Sequence, residues 1–335
     1  MGVMPVQRVQ GRVQGKSRHK GVVGGMKTWA MLGVLALSSL GTSAAVAART
    51  METKFGEVSL PDGQPQRVVT LYEGALDAAI AMGITPLGAV ASRGAEGVAS
   101  YIQPQAEGVQ IVGTSRETNL EAVIALQPDL ILASSSLPEA QYQLLSSVAP
   151  TVVPDVPSFQ ADSWQQETRL FAQALNRTAQ GEQVTNAVAE RAAEVKAELV
   201  QRVPADQRDA YLMRWMPQGP LVMAPTIFSA RILAEAGFDV HDGGLVKEGR
   251  PHSSPLSLEN LTKADGHWMF LATLNDDGEQ ALEAAKKSPA FERLDVVQQD
   301  RVFPVNGQLW TSASGPLAAQ AILQRIEQVM DSTKP

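Results

Sequence analysis

The chain has 335 residues, with 28 Lys and Arg against 35 Asp and Glu, a net charge of −7, 44% hydrophobic residues and no cysteine. That length accommodates two domains of ordinary size, and the apolar content is that of a globular protein rather than a disordered one. The acidic balance points away from nucleic acid, and the lack of cysteine excludes disulfides and a cysteine-linked lipid.

Residues 1–47 carry six basic residues (Arg8, Arg12, Lys16, Arg18, Lys20 and Lys27) and no acid, and from Met26 the chain reads MKTWAMLGVLALSSLGTSAAVAA. A charged start, a short apolar core and the small-residue site Ala45-Val46-Ala47 predict a secretory signal peptide over 1–47, with Met26 as an alternative start. Its apolar core is short for a bilayer span. Cleavage leaves 22 basic against 35 acidic residues, a net of −13. The expectation is a periplasmic, soluble and unlipidated protein, with no second apolar stretch of about 20 residues to anchor it.

Beyond the signal, RVVTL (67–71) predicts a buried strand, GALDAAIAMG (74–83) a helix closed by a C-cap glycine, and PLGAV (86–90) another strand. In SRETNLEAVIALQPDLILAS (115–134), Leu120, Val123 and Ile124 make one helix face and DLILA the next strand. Thr118-x-x-Glu121 has the form of a capping box. Residues 164–203 are rich in Ala, Glu, Gln and Arg, which predicts helix with a break near 178–181. The part over 183–203 would run about 30 Å as one helix. The second half then repeats the grammar, with AYLMRW (210–215) a strand and FSARILAEAG (228–237) a helix. LSLENLTKADGHWMFLAT lies over TNLEAVIALQPDLILAS at constant offset, so Glu121 matches Glu259 and the strand at 130 matches the one at 268. Strands alternating with helices, twice over, predict two α/β lobes with parallel sheets.

Four stretches carry a specific resemblance: RVVTLYEGALDAAIAMGITPLGAV, VGTSRETNLEAVIALQPDLILAS, SPLSLENL and RVFPVNGQLWTSASGPLAAQAIL. They are similar to the periplasmic substrate-binding proteins of iron–siderophore and cobalamin ABC importers. The resemblance implies two Rossmann-like lobes bridged by one long rigid helix, the class III arrangement, with ligand in a shallow cleft between them. The divisions expected are a signal peptide over 1–47, an N-terminal lobe over 48–163, a helical link over 164–203 and a C-terminal lobe over 204–335. It implies a monomeric carrier, not an enzyme, that delivers a ferric siderophore to an ABC permease, with hydroxamate or mixed carboxylate types favoured. Cobalamin or haem is the alternative ligand, and a receptor-docked sensor or a hydrolase is a remote one.

Glu121 and Glu259 suit the helix dipole in a first turn. In the resembled family, acids at these two positions dock on permease arginines, and both roles remain open here. For the ligand, Arg214 and Trp215 at a strand end combine a guanidinium for anionic oxygens with an indole for an organic skeleton. Trp310 matches a cleft tryptophan of hydroxamate binders, and Arg250, His252 and Ser253 fall in a loop where the family places contacts. Arg116 lies on a loop before a helix, one position after the arginine of related proteins, where this chain has Ser115. Tyr72 and Arg93 complete the candidates. Four histidines without cysteine supply no cluster of metal ligands, so any iron is expected to arrive inside a chelator and no cofactor is expected. His252, Ser253 and Asp242 are the residues a hydrolase would need, but no nucleophile elbow, HExxH or phosphate loop accompanies them.

Overall fold

The computed structural model describes residues 49–60, 62–157, 160 and 162–333, together with residue 10. Apart from that residue, the predicted signal peptide lies outside the described residues. Among the described residues no helix is long and apolar enough to cross a membrane.

An antiparallel hairpin of β1 (Arg49–Thr53) and β2 (Gly56–Leu60) comes first. The N-terminal lobe continues with β3 (Val68–Thr70), α1 (Glu73–Ala81), β4 (Gly88–Ala91), β5 (Gln110–Thr114), α2 (Leu120–Ala125), β6 (Leu130–Leu132), α3 (Glu139–Ser146) and β7 (Thr151–Val152). These strands form one parallel sheet in the order β5-β4-β3-β6-β7. Every residue of the central strands β3 and β6 is buried, as happens where both sheet faces are covered, so their sequences do not alternate. Val69, Ile131 and Val90 pack with Val123 of α2 and Leu145 of α3 on one face. Val68, Leu130 and Leu132 pack with α1 on the other.

The link is two helices, α4 (Ser163–Ala174) and α5 (Thr178–Arg202). Phe171, Ala172 and Leu175 of the first stretch belong to the N-terminal core with Ala75 and Ala79 of α1. α5 has 25 residues, about 37 Å at 1.5 Å per residue. Its buried positions Gly181, Thr185, Val188, Ala192, Val195 and Leu199 fall at helical spacing. The break between the helices lies at 175–177, where Asn176 takes φ 55°, and not at the predicted 178–181. Gly181 is inside α5, and a Cβ there would stand 2.4 Å from the Ala172 Cβ. That glycine serves close approach of two helices rather than a break.

The C-terminal lobe holds β8 (Asp209–Met216), β9 (Gly219–Val222), α6 (Phe228–Glu235), β10 (Asp239–Val240), β11 (Trp268–Thr273), α7 (Asp276–Ala285), α8 (Pro289–Glu292), α9 (Asp295–Gln298), β12 (Val302–Asn306), α10 (Gly307–Thr311) and α11 (Pro316–Ser332). Its sheet runs β10-β8-β11-β12 in parallel, with β9 added antiparallel on β8. Ala210, Leu212, Phe270 and Ala272 face α5, α6 and α11, while Tyr211, Met213 and Leu271 face α7 and α8. Both lobes therefore place their first main strand, β3 or β8, inside the sheet with a strand reversal beside it. That is the geometry in which α/β sheets open a crevice at strand C-termini.

One buried acid joins the lobes. Asp77 of α1, with no exposed surface, accepts hydrogen bonds from the N–H groups of Leu317 (2.8 Å) and Ala318 (2.9 Å) and from the Tyr101 hydroxyl (2.8 Å). It satisfies two of the N–H groups that the start of α11 would otherwise leave without partners. Gly315, at φ 115°, precedes that helix, and a Cβ on it would lie 2.5 Å from Asp77 Oδ1. Burial pushes the Asp77 carboxyl up to about 7 against the hydrogen bonds that pull it down.

Candidate functional site

A cleft of about 430 Å³ lies at the C-terminal ends of the two sheets. From the N-terminal lobe, Tyr72 follows β3, Arg93 follows β4, Ser115 follows β5 and the three serines 134–136 follow β6. Glu73, in the first turn of α1, and Trp164 and Glu167 of α4 complete that wall. From the C-terminal lobe come Arg214 near the end of β8, Phe228 and Arg231 of α6, His252, and Trp310 of α10.

The electrostatics of the two walls differ. Arg214 is only 5% exposed, and burial first, then repulsion from Arg93, lowers its guanidinium to about 10. Cations contributed by opposite lobes are thus close enough to feel one another, and among the described residues neither they nor Arg231 form an ion pair. Four donor groups of the wall, Arg214 Nε, Arg231 Nε, Trp164 Nε1 and Trp310 Nε1, are buried without a hydrogen-bond partner. Buried polar groups are ordinarily paired, so these lone donors mark a wall poor in acceptors of its own. On the facing wall, Glu167 is 8% exposed and burial pushes its carboxyl up to about 7. The Tyr72 hydroxyl donates to it at 3.2 Å, and burial and Glu167 together raise the phenol well above its usual range. Burial also raises Glu73, which accepts from the Arg93 N–H at 3.1 Å.

Of the residues read from sequence, Tyr72, Arg93, Arg214, His252 and Trp310 line this cleft. Trp310 is also core: it is 1% exposed and stacks on Phe270 at 5.1 Å. The others lie elsewhere. Trp215, next to Arg214, points to the opposite face of β8 because strand side chains alternate, and it packs edge-on against Phe291 at 5.8 Å. Ser253 is buried and its hydroxyl is committed to backbone, accepting from the Val222 N–H at 3.0 Å and donating to the Ser254 carbonyl at 2.8 Å. Arg250 is exposed on its loop, outside the cavity wall. Arg116 is exposed as well, and Ser115 takes the place in the cavity. Gly113, at φ 131°, lies in the same tight turn, where a Cβ would meet the Glu117 carbonyl oxygen at 2.3 Å.

Glu121 and Glu259 are both exposed in first turns, of α2 and of the 3-10 turn Leu258–Ala264. The cap of α2 lies one residue later than the Thr118-x-x-Glu121 pattern predicts. Asn119, not Thr118, caps α2, accepting from the Ala122 N–H at 3.0 Å. Arg231, Glu167, Trp164 and Phe228 carry no sequence signal of a site, since each sits on a helix whose sequence reads as ordinary amphipathic packing. The serines 134–136 carried a legible signal, a polar run directly after a buried parallel strand.

No group of three or more His, Asp or Glu placed to hold a metal occurs among the described residues. His252 Nδ1 sits 2.7 Å from the Ser253 carbonyl rather than a hydroxyl, and Asp242 accepts from the Gly244 N–H at 2.8 Å in its own turn.

Residues 68–309 match the family described as "Periplasmic binding protein". The achromobactin-binding periplasmic protein of Dickeya dadantii (strain 3937) is 28% identical over 279 residues, covering 79% of this chain and 86% of its own length. The Fe(3+) dicitrate-binding periplasmic protein FecB of Escherichia coli (strain K12) is 26% identical over 281 residues, covering 82% and 88%. Among solved structures, Staphylococcus aureus SirA complexed with staphyloferrin B aligns with a TM-score of 0.72 at 24% identity, over 84% of this chain and 98% of SirA. At that identity the likeness shows the fold.

Proposed function

The chain belongs to the periplasmic binding protein family, and we propose on that premise that it captures an anionic ferric siderophore in the interlobe cleft for delivery to an ABC permease. The observation that carries this reading is the convergence of Arg93, Arg214 and Arg231 on one cavity, none of them within ion-pair distance of an acid among the described residues, beside the indoles of Trp164 and Trp310. Guanidinium forks match carboxylate oxygens in pairs, and aromatic walls take up an organic skeleton. Carboxylate chelates are favoured over hydroxamates, a choice that the name of the relative binding Fe(3+) dicitrate also supports. Iron enters as cargo already wrapped in its chelator.

The protein is a carrier rather than a catalyst in this reading, since the hydroxyl of Ser253 and the carboxylate of Asp242 are already used by backbone. Glu121 and Glu259, one exposed acid on each lobe, dock on the permease. The mature protein is a periplasmic monomer starting near Ala48, and it is unlipidated because the sequence offers no cysteine.

Two tryptophans line the cavity, so intrinsic fluorescence reports binding directly. Titration with ferric citrate, a ferric hydroxamate, a ferric tricatecholate, haem and cobalamin should give submicromolar quenching by ferric citrate. Tight binding of haem or cobalamin alone rules the reading out.

A further inference from the structure

Glu167 is a poor fit to a cleft built for anions. It projects from α4 into the cavity wall, is 8% exposed, and has the Tyr72 hydroxyl at 3.2 Å as its side-chain partner. The charged or titratable groups around it come from every neighbouring element. Tyr72 and Glu73 belong to the start of α1, Arg93 to the loop after β4, and Arg214, Arg231 and His252 to the facing lobe. Within α4 and α5, Arg169 is taken by Glu182 at 3.0 Å, and Asp77 of α1 is engaged with α11. None of these cations forms an ion pair with Glu167.

A ligand that fills the cavity removes the remaining water from this carboxyl and brings negative charge towards it. Both effects disfavour the carboxylate, and no nearby guanidinium is committed to offset them. A carboxylic acid in the same place has one oxygen accepting from Tyr72 and an O–H free to donate to a ligand oxygen.

We propose that Glu167 enters the complex as a neutral carboxylic acid and donates its hydrogen to an oxygen of the bound anion, so that capture of the ligand takes up a proton. This rests on the anionic-chelate reading of the cleft. The proton comes from the solvent or its buffer, stays on Glu167 while the ligand is bound, and returns to solvent on release. Burial, partly offset by the Tyr72 hydrogen bond, holds the free carboxyl at about 7, so the linkage operates in the pH range just above neutrality. Glu167 is in these terms a specificity-determining residue: it rewards an acceptor oxygen at its position and attracts a ligand cation less than an ionised glutamate would.

The test compares wild type with Glu167→Gln, using ferric citrate as the probe and tryptophan fluorescence as the readout from pH 5.5 to 8.5. Speciation of the chelate is common to both proteins and cancels in the ratio of their Kd values. That ratio is expected to be flat at acidic pH and to grow above pH 7 by up to about tenfold per pH unit, with the glutamine variant the tighter binder. Calorimetry of wild type at pH 8 in buffers of different ionisation enthalpy should show close to one proton taken up, a measurement that stands even if the variant does not fold. Equal pH dependence in the two proteins, with no proton uptake, overturns the linkage alone. Binding weakened by a constant factor at every pH in the variant also overturns it, by making Glu167 a charged partner of the ligand. Ferric citrate that leaves the fluorescence of both proteins unchanged overturns the linkage together with the ferric-carboxylate reading.

Discussion

At the end of β3 the N-terminal lobe offers Tyr72 to the cleft, together with Glu73, Glu167 and a run of serines. At the end of β8 the C-terminal lobe offers Arg214, together with Arg231, Phe228 and Trp310. The two lobes share a strand-end geometry and differ in charge, with acids on one wall and guanidinium groups on the other. Only Arg93 crosses the division, and its charge reaches Arg214. The lesson is that a repeated fold supplies two positions for side chains, and differences at those positions give one wall guanidinium groups and the other carboxyls.

The contrast can be broken first at the acid that each lobe exposes in a first turn. Replacing Glu121 and Glu259 together with Ala should reduce uptake of ferric citrate by cells to background while Kd changes by less than about twofold, since both side chains are exposed and outside the cleft. Loss of affinity with retained uptake would assign these acids to the ligand. Next in size is the cationic wall. Arg214→Ala should weaken ferric citrate binding by about 100-fold, in keeping with roughly 2–5 kcal/mol for a buried charge-assisted contact, and Arg214→Lys should recover only part of it. A loss below about threefold in the titration would place the anion elsewhere.

Asp77 tests the joint between the walls. Its carboxyl is raised from 3.8 to about 7, so the folded state holds this proton more tightly than the unfolded chain does. The stabilisation from that proton is complete below about pH 4 and is lost as pH rises through 7. Thermal melts of wild type and Asp77→Asn should therefore diverge with pH, wild type losing about 1–4 kcal/mol relative to the variant between pH 4 and pH 8. A pH-independent difference would mean that the hydrogen bonds to Leu317, Ala318 and Tyr101 outweigh burial. The smallest effect is expected of Arg116→Ala and Arg250→Ala, which should each alter Kd by less than about twofold because neither side chain lines the cavity. A larger change at either position would extend the cationic wall to the rim.

Much of the architecture is legible in local pattern. Runs such as VVT and LIL, flanked by helix-period segments and glycine caps, identify buried parallel strands because a strand covered on both faces has no polar side to alternate. The match of Glu121 with Glu259 at constant offset exposes the duplication, and the composition of 164–203 identifies the helical link. The two helices of that link, their break at Asn176, and the role of Gly181 as a contact with Ala172 depend on which elements pack together, and no local signal contains that.

The same division holds for the site. Strand ends and their polar followers, Tyr72, Arg93 and Arg214, were visible because an α/β sheet opens its crevice at its C-terminal edge wherever the chain reverses. What the sequence by itself determined is the two-lobed α/β plan and the strand ends that face each other. The choice between Arg214 and Trp215 was decided only in three dimensions, since β8 is buried on both sides and a period of two says that neighbours oppose but not which faces the cleft. Arg231 and Glu167 were likewise decided there, because a helix shows its chemistry only once the element it packs against leaves one face turned to the cavity.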